Sequence, residues 1–345
     1  MFYRSAHLSV IFQQLVKRSA LFCPKISGNM SSKTQLKLAP TVKLNNGYEM
    51  PVLGLGTYEL KKTKCENAVR CALDLGYRHI DTAYLYGNEA IIGKVLEETI
   101  ASGIIKRDEI FLVTKLWDIY HEPTRVRYAC ELQLQQLGVI YIDLYLMHSP
   151  VGVKYVNDDE LMPHSEGVLQ TNDVDFVDTY RAMEELVDLG LVRSLGVSNF
   201  NSAQLERLLQ DCRIKPVTNQ IECHLQLIQW PLIEFCRAHE IVVTAYSPLG
   251  RPKPSKPLPS YYNDSELLAM AKNHRKTIAQ LVLRYLLDIG TVPIPKAAQI
   301  QHLRENFDLF DFSLTAQEME LFENFNERTR LWKFEKAKGH QHYPH

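Results

Sequence analysis

Residues Arg78 to Glu89 read R-H-I-D-T-A-Y-L-Y-G-N-E, and the fold turns on how that stretch divides. R-H-I is a strand-like run that the polar, small-residue segment beginning at Asp81 would end. Glu89 then opens an amphipathic segment reaching Ala101. Strand, polar turn and helix in that order make one β-α unit. Asp81, Tyr84 and Tyr86 therefore stand where a strand leaves the core. One aspartate beside a tyrosine is common, so the rest of the chain decides what they do.

The same unit recurs in both directions. Strand candidates begin at Val52, Arg78, Ile110, Asp143, Val192, Val217, Ile241 and Thr291. Helical patterns lie at Glu66 to Leu75, Glu89 to Ala101, Val126 to Leu137, Asp175 to Leu189 and Ser202 to Gln210. Others follow at Pro231 to His239, Ser265 to Asn273 and Thr277 to Leu287. Eight β-α units predict an α/β fold, a closed (β/α)8 TIM barrel. Upstream, T-V-K-L-N-N-G-Y-E-M-P has a hairpin signal at Asn46 and Gly47 that would plug the barrel floor. Two long insertions, Val151 to Asp173 and Gly250 to Asp264, leave carboxyl ends of strands, the face where barrel enzymes place their sites. The second is proline-rich and reads as a flap that joins neither sheet nor helix.

Of the 345 residues, 46% are hydrophobic and 23% charged, and the formal net charge is -1. That is ordinary globular composition. It offers no basic field for nucleic acid or an anionic membrane, so small neutral or weakly charged partners are expected. No apolar run approaches a membrane span. Seven cysteines without C-x-x-C suit a reducing compartment. No Asp or Glu precedes Glu49, whereas Arg4, Lys17, Arg18 and Lys25 do. Residues 1–37 thus read as an N-terminal extension, with a barrel at 38–334 and a tail at 335–345. Residues 1–29 would direct mitochondrial import if they act as a presequence; a cytoplasmic form starting at Met30 is the default reading.

Polar side chains gather at the strand ends: Asp81 and Tyr86 at the second, Lys115 at the third, His148 at the fourth, and Ser198 and Asn199 at the fifth. Gln220 and Glu222 belong to the sixth, Tyr246 and Ser247 to the seventh, and Lys296 to the eighth. A buried Lys115 needs a partner, and Asp81 is available. Its ammonium would lower the pKa of a nearby phenol, and a neutral His148 could orient a carbonyl oxygen. The implied chemistry is proton donation to a carbonyl while something else supplies a hydride. Strand parity cannot choose between Tyr84 and Tyr86.

In order, G-Y-R-H-I-D-T-A-Y-L-Y-G-N-E, V-T-K-L-W, D-L-Y-L-M-H-S-P, G-V-S-N-F, N-Q-I-E-C-H, A-Y-S-P-L-G, I-P-K and L-R-E-N-F closely resemble the aldo-keto reductase superfamily, from about Leu38 to Phe334. The resemblance implies Asp81, Tyr86, Lys115 and His148 as the catalytic four, with Tyr86 the proton donor. It implies NADPH, favoured over NADH, extended across the barrel mouth. Gly56, Thr57 and Asp81 would border it, Ser198, Asn199 and Gln220 would grip its carboxamide, and Tyr246 would stack on its ring. Ser247 and Leu249 would line the pyrophosphate path. Lys296 would meet the 2′-phosphate, beside His302, Glu305 and Asn306. Tyr58, Trp117, His148 and Ser149 would line the substrate pocket, and Trp332 and Phe334 would shape it from the C-terminal segment. No metal is implied, and the partner would be a small-molecule carbonyl compound met by a monomer.

Departures carry expectations of their own. His302 and Ala297 stand where many relatives have an arginine and a serine-like donor, which weakens phosphate selectivity. Tyr58 and Ser149 replace tryptophans, giving a wider, more polar pocket. Glu59 and Lys253 occupy positions where some relatives latch the cofactor with the opposite charges. Histidine at 148, where steroid double-bond reducers carry glutamate, marks a carbonyl reducer. The alternatives are a steroid or polyol dehydrogenase working oxidatively, and a nucleotide-sensing subunit or structural protein on the same barrel. G-L-G-T-Y-E lacks the third glycine of a dinucleotide loop, so a Rossmann reading is rejected. Glu222, Cys223 and His224 are weak as a metal site, and the tail histidines His340, His342 and His345 read as a solvated end.

Overall fold

The barrel's first and last strands meet because two glycines let them. In this computed structural model, which describes residues 37–252, 255 and 257–345, Gly54 N–H donates to Pro293 O at 3.1 Å and Gly56 N–H to Pro295 O at 3.3 Å. A Cβ on Gly54 would lie 2.8 Å from Ile294, and one on Gly56 2.5 Å from the Ile294 carbonyl oxygen. Only glycine allows that approach. The G-L-G that superficially suggests a nucleotide loop is thus the seam of the barrel.

The chain from Leu38 to His345 forms one unit. It opens with an antiparallel hairpin, β1 (Thr41–Lys43) and β2 (Glu49–Pro51). Eight parallel strands follow: β3 (Leu55–Gly56), β4 (His79–Asp81), β5 (Phe111–Leu116), β6 (Leu144–Met147), β9 (Leu195–Ser198), β10 (Thr218–Glu222), β11 (Val242–Tyr246) and β12 (Thr291–Pro293), paired in that order. A short antiparallel pair, β7 (His164–Ser165) and β8 (Val168–Leu169), lies in the first long insertion.

All eight expected strands and all eight expected helices are present: α1 (Lys62–Leu75), α2 (Glu89–Ala101), α3 (Pro123–Leu137), α4 (Phe176–Asp188), α5 (Ser202–Asp211), α6 (Trp230–Ala238), α7 (Ser265–His274) and α8 (Ile278–Asp288). Two of these, α7 and α8, share the connection after β11. The helix that follows β12 is one the pattern reading overlooked, α9 (Ile300–Phe307), and α10 (Ala316–Glu323) comes after it. The flap departs slightly from expectation, because Ser260–Asn263 forms a 3-10 turn with Tyr261 buried.

Alternation along the strands decides what reaches the barrel axis. Phe111 and Val113 join Leu144, Leu146, Val217 and Val292 in an interior cluster that also takes Leu44 and Met50 from the hairpin. The hairpin therefore plugs the barrel, as its sequence suggested, and truncating fully buried Met50 to alanine would cost about 2–5 kcal/mol. Asn45 and Asn46 secure it by donating to Pro216 O and the Ser194 hydroxyl. Ile80 and Leu112, on the other face, pack with Ile92, Val95 and Leu96 of α2. The same parity that sends Phe111 and Val113 inward sends Lys115 inward, and Leu144 and Leu146 are followed by His148.

Candidate active site

The carboxyl ends of the strands open onto a cavity of about 460 Å³. Asp81 is the last residue of β4, and Lys115 is the inward residue two places beyond Val113 on β5. Lys115 Nζ lies 2.7 Å from Asp81 Oδ1, with both side chains almost fully buried, and donates a second bond to Thr82 O at 2.8 Å. Gln220 Nε2 donates to the other Asp81 oxygen at 2.7 Å. The carboxylate is therefore shared between a strand-borne cation and a strand-borne amide from across the barrel.

Above this pair sits Tyr86. It ends a 3-10 turn, Tyr84–Tyr86, and its ring centroid is 5.1 Å from Lys115 Nζ. Its ring lies edge-on to His148 at 5.9 Å and to Tyr58 at 5.1 Å. Tyr86 and His148 both line the cavity, whereas Tyr84 does not: its ring packs on Tyr120 and its hydroxyl donates to Asp158 O. Of the two tyrosines, Tyr86 is the one that faces the cavity. The turn is fixed by Asn88, which donates to Thr57 O and Leu60 O and accepts from the Thr82 hydroxyl.

Burial sets the electrostatics. Desolvation, followed by the charge of Lys115, holds the His148 imidazole well below its ordinary pKa, so it is neutral near pH 7. Desolvation also lowers Lys115, against the opposing pull of Asp81. One expectation is corrected. Tyr86 is pushed well above the usual phenol value by burial and then by Asp81, Tyr246 and Tyr58. Burial is the largest of these effects, and the Lys115 ammonium beneath the ring, paired with Asp81, does not outweigh it.

The remaining strand ends form a connected polar floor. Ser198 donates to Gln220 O, Asn199 Nδ2 donates to His148 O, and the Tyr246 hydroxyl donates to Asn199 Oδ1 at 2.8 Å. Gly56, Thr57, Ser247, Leu249 and Lys296 also line the cavity, as do Tyr58, Trp117 and Ser149. His302, Glu305 and Asn306 ride on α9, outside this lining. Glu59, Asn199, Ser247, Arg251 and Phe334 hold positive φ although none is glycine, and all five line the cavity. Other non-glycine residues at positive φ, such as Glu166 and Arg275, lie away from the cavity, so these five show local strain at its lining without its being confined there.

Sequence reading missed several lining groups. Asp118, directly after Trp117, is buried in the wall, where burial raises its carboxyl to about 8 against bonds from Ser149. Its position just past a strand end was the available signal. Arg251 was missed also: its guanidinium reaches Glu59 at 3.0 Å and lies over the Trp332 ring, while Lys296 stands 3.9 Å from the same carboxylate. Lys253, the expected partner of Glu59, lies outside the described residues.

Glu222 is corrected. It turns from the cavity to accept from the Leu331 and Trp332 backbone N–H groups at 2.7 and 2.9 Å, and it pairs with His224. It anchors the C-terminal segment and so places Trp332 against Tyr58. The tail is not a solvated end either. His342 is buried against Phe176, and Asn201 and Gln204 bond to Pro344 O and His342 O. Among the described residues no cluster of histidine, cysteine and carboxylate side chains could hold a metal, and no helix is long and apolar enough to cross a membrane.

Residues 52–327 match the model of the aldo/keto reductase family. The chain belongs to that family. This aldo/keto reductase is 42% identical over 313 residues to prostaglandin F synthase 1 of Bos taurus, covering 88% of this chain and 96% of that one. The aldose reductase of Schistosoma japonicum superposes with a TM-score of 0.83 at 41% identity, over 88% of this chain and 98% of that chain. An aldo-keto reductase of Bombyx mori, solved in complex with NADP, gives 0.81 at 38% identity, over 90% and 100%. Membership places the chain among oxidoreductases on the (β/α)8 barrel.

Proposed function

We propose that the chain reduces aldehydes, and ketones that fit the same mouth, to alcohols with NADPH, using Tyr86 as the proton donor. One observation carries the reading: Tyr86 and neutral His148 face one cavity directly above a Lys115–Asp81 pair that is sealed from water.

The residues present suit the cofactor that the Bombyx mori relative holds. Ser198, Asn199, Gln220 and Tyr246 offer amide, hydroxyl and aromatic groups for the nicotinamide end, with Gly56, Thr57 and Asp81 beside them. Ser247 and Leu249 offer a path for the pyrophosphate. Lys296, with His302, Glu305 and Asn306 on α9, offers a cation and polar groups for the adenosine phosphate end. The chemistry that NADPH supplies when bound is a hydride.

What the chain itself contributes is a proton and its placement. His148, neutral because it is buried beside Lys115, donates a hydrogen bond to the carbonyl oxygen without bringing a charge. Tyr86, kept protonated by burial, gives its proton to that oxygen as negative charge develops there. An alkoxide is far more basic than a phenolate, so a raised phenol pKa does not prevent the transfer. Lys115 then offsets the phenolate left behind, and Asp81 keeps Lys115 charged and in place. Assaying aldehydes, sugars, quinones and steroids with NADPH and with NADH tests the reading. Aldehyde-dependent NADPH oxidation supports it, and none with any aldehyde overturns it.

A further inference from the structure

We propose that Asp158, which makes no part of the catalytic cavity's lining, is a positioning residue for the apolar wall of that cavity and thereby sets affinity for apolar aldehydes. The inference rests on the carbonyl-reductase reading above and concerns the same site.

Asp158 stands in the first long insertion, between β6 and α4. Its Oδ1 accepts from the Tyr120 hydroxyl at 2.8 Å and the Tyr155 hydroxyl at 3.0 Å, and its Oδ2 accepts from Tyr128 at 2.5 Å. Its backbone carbonyl accepts from Tyr84 at 3.2 Å, and the Tyr120 and Tyr84 hydroxyls are themselves 3.0 Å apart. The carboxylate is thus tied to phenols from the turn after β5, helix α3 and its own loop, and the backbone carbonyl of the same residue to a phenol from the turn after β4. Arg125 lies over the Tyr155 ring at 3.6 Å and supplies the nearby positive charge. Hydrogen bonds to an ionised acceptor are roughly twice as strong as neutral ones, so this knot fixes the loop more firmly than ordinary loop contacts.

The consequence follows from sequence adjacency. Tyr84 is followed by Leu85, Tyr120 lies three residues after Trp117, and Asp158 lies four before Met162. Leu85, Trp117 and Met162 all line the cavity, and Trp117 Nε1 donates to Leu161 O at 2.8 Å, joining loop to strand end. Each apolar wall residue is therefore carried by a segment that Asp158 ties to the other two. Releasing the carboxylate would loosen the Trp117 and Met162 sides of the wall, whereas the Tyr84–Tyr86 turn stays held by Asn88 and by the Asp158 backbone carbonyl, so Tyr86 keeps its place above Lys115 and Asp81.

The test compares hexanal with glyceraldehyde, both with NADPH, in the full chain and in Asp158→Ala. The expected result is a KM for hexanal raised on the order of tenfold, with a much smaller change for glyceraldehyde and kcat within about twofold for both. Hydrogen exchange across residues 151–173 should speed up in the same variant without substrate present. Asp158→Asn, which keeps an acceptor oxygen, should recover part of both effects. If Asp158→Ala does not fold, Tyr120→Phe should show the same direction with a smaller size. Equal losses in kcat for both aldehydes, or no change in KM and exchange, would overturn the proposal. A natural chain inactive on both aldehydes would instead sink the carbonyl-reductase reading, and this inference with it.

Discussion

Lys115 Nζ and Asp81 Oδ1 lie 2.7 Å apart, with side chains 1% and 2% exposed. A pair so far from water offsets its desolvation only while both partners and their hydrogen bonds remain. Lys115→Met leaves Asp81 charged and buried, held by Gln220 alone. The expected loss of stability is about 3–5 kcal/mol, read as a lower midpoint in urea, together with loss of turnover. A double variant, Lys115→Met with Asp81→Leu, should recover much of the stability and none of the activity.

Two tyrosines two residues apart should behave oppositely. Tyr84→Phe removes a hydroxyl that bonds Asp158 O and Tyr120, outside the cavity. Its kcat should stay within a few-fold of the natural chain, with a cost near 1 kcal/mol in stability. A kcat collapse in Tyr84→Phe, measured by NADPH oxidation, would contradict the assignment.

Glu59 holds Arg251 at 3.0 Å and stands 3.9 Å from Lys296, joining the first strand's end to the flap and to the eighth. Glu59→Lys reverses that attraction. Stopped-flow displacement should show faster release of NADP⁺ from the variant, and an unchanged rate would reject a latch at this place.

Glu222 gives a pH prediction with a definite sign. Burial alone would raise its pKa, but His224 and the Leu331 and Trp332 N–H groups outweigh that and leave it below the ordinary glutamate value. A depressed folded pKa contributes stability that is full above the unfolded value, about 4.3, and is lost as pH falls through the folded one. The C-terminal segment should therefore loosen below about pH 4.3, seen as a change in tryptophan fluorescence as Trp332 leaves Tyr58. Glu222→Gln should loosen it already at pH 7.

Much of this was legible in the sequence because barrel strands are short apolar runs with inward residues at fixed parity. Phe111, Val113 and Lys115 share a face, as do Leu144, Leu146 and His148, so the polar strand ends could be named before any coordinates. Helix α9 was overlooked because it spans only Ile300–Phe307, with Leu303 and Phe307 as its buried apolar pair. The Asp158 knot has no local pattern, since its phenols come from positions 84, 120, 128 and 155. Glu222 follows the parity of Gln220, yet its carboxylate finds the tail, a contact spanning 109 residues. The lowered pKa expected of Tyr86 gives way to burial, the largest effect on its phenol, and how deep a side chain sits is something a list of strand ends cannot express.

The central claim is that the Tyr86 hydroxyl carries the proton to the carbonyl oxygen, and Tyr86→Phe tests it most directly. The measurement pairs NADPH affinity by fluorescence titration with single-turnover aldehyde reduction in the variant. The account predicts binding within a few-fold of the natural chain and a rate lowered at least about a hundredfold. Near-full turnover with the cofactor still bound would contradict it.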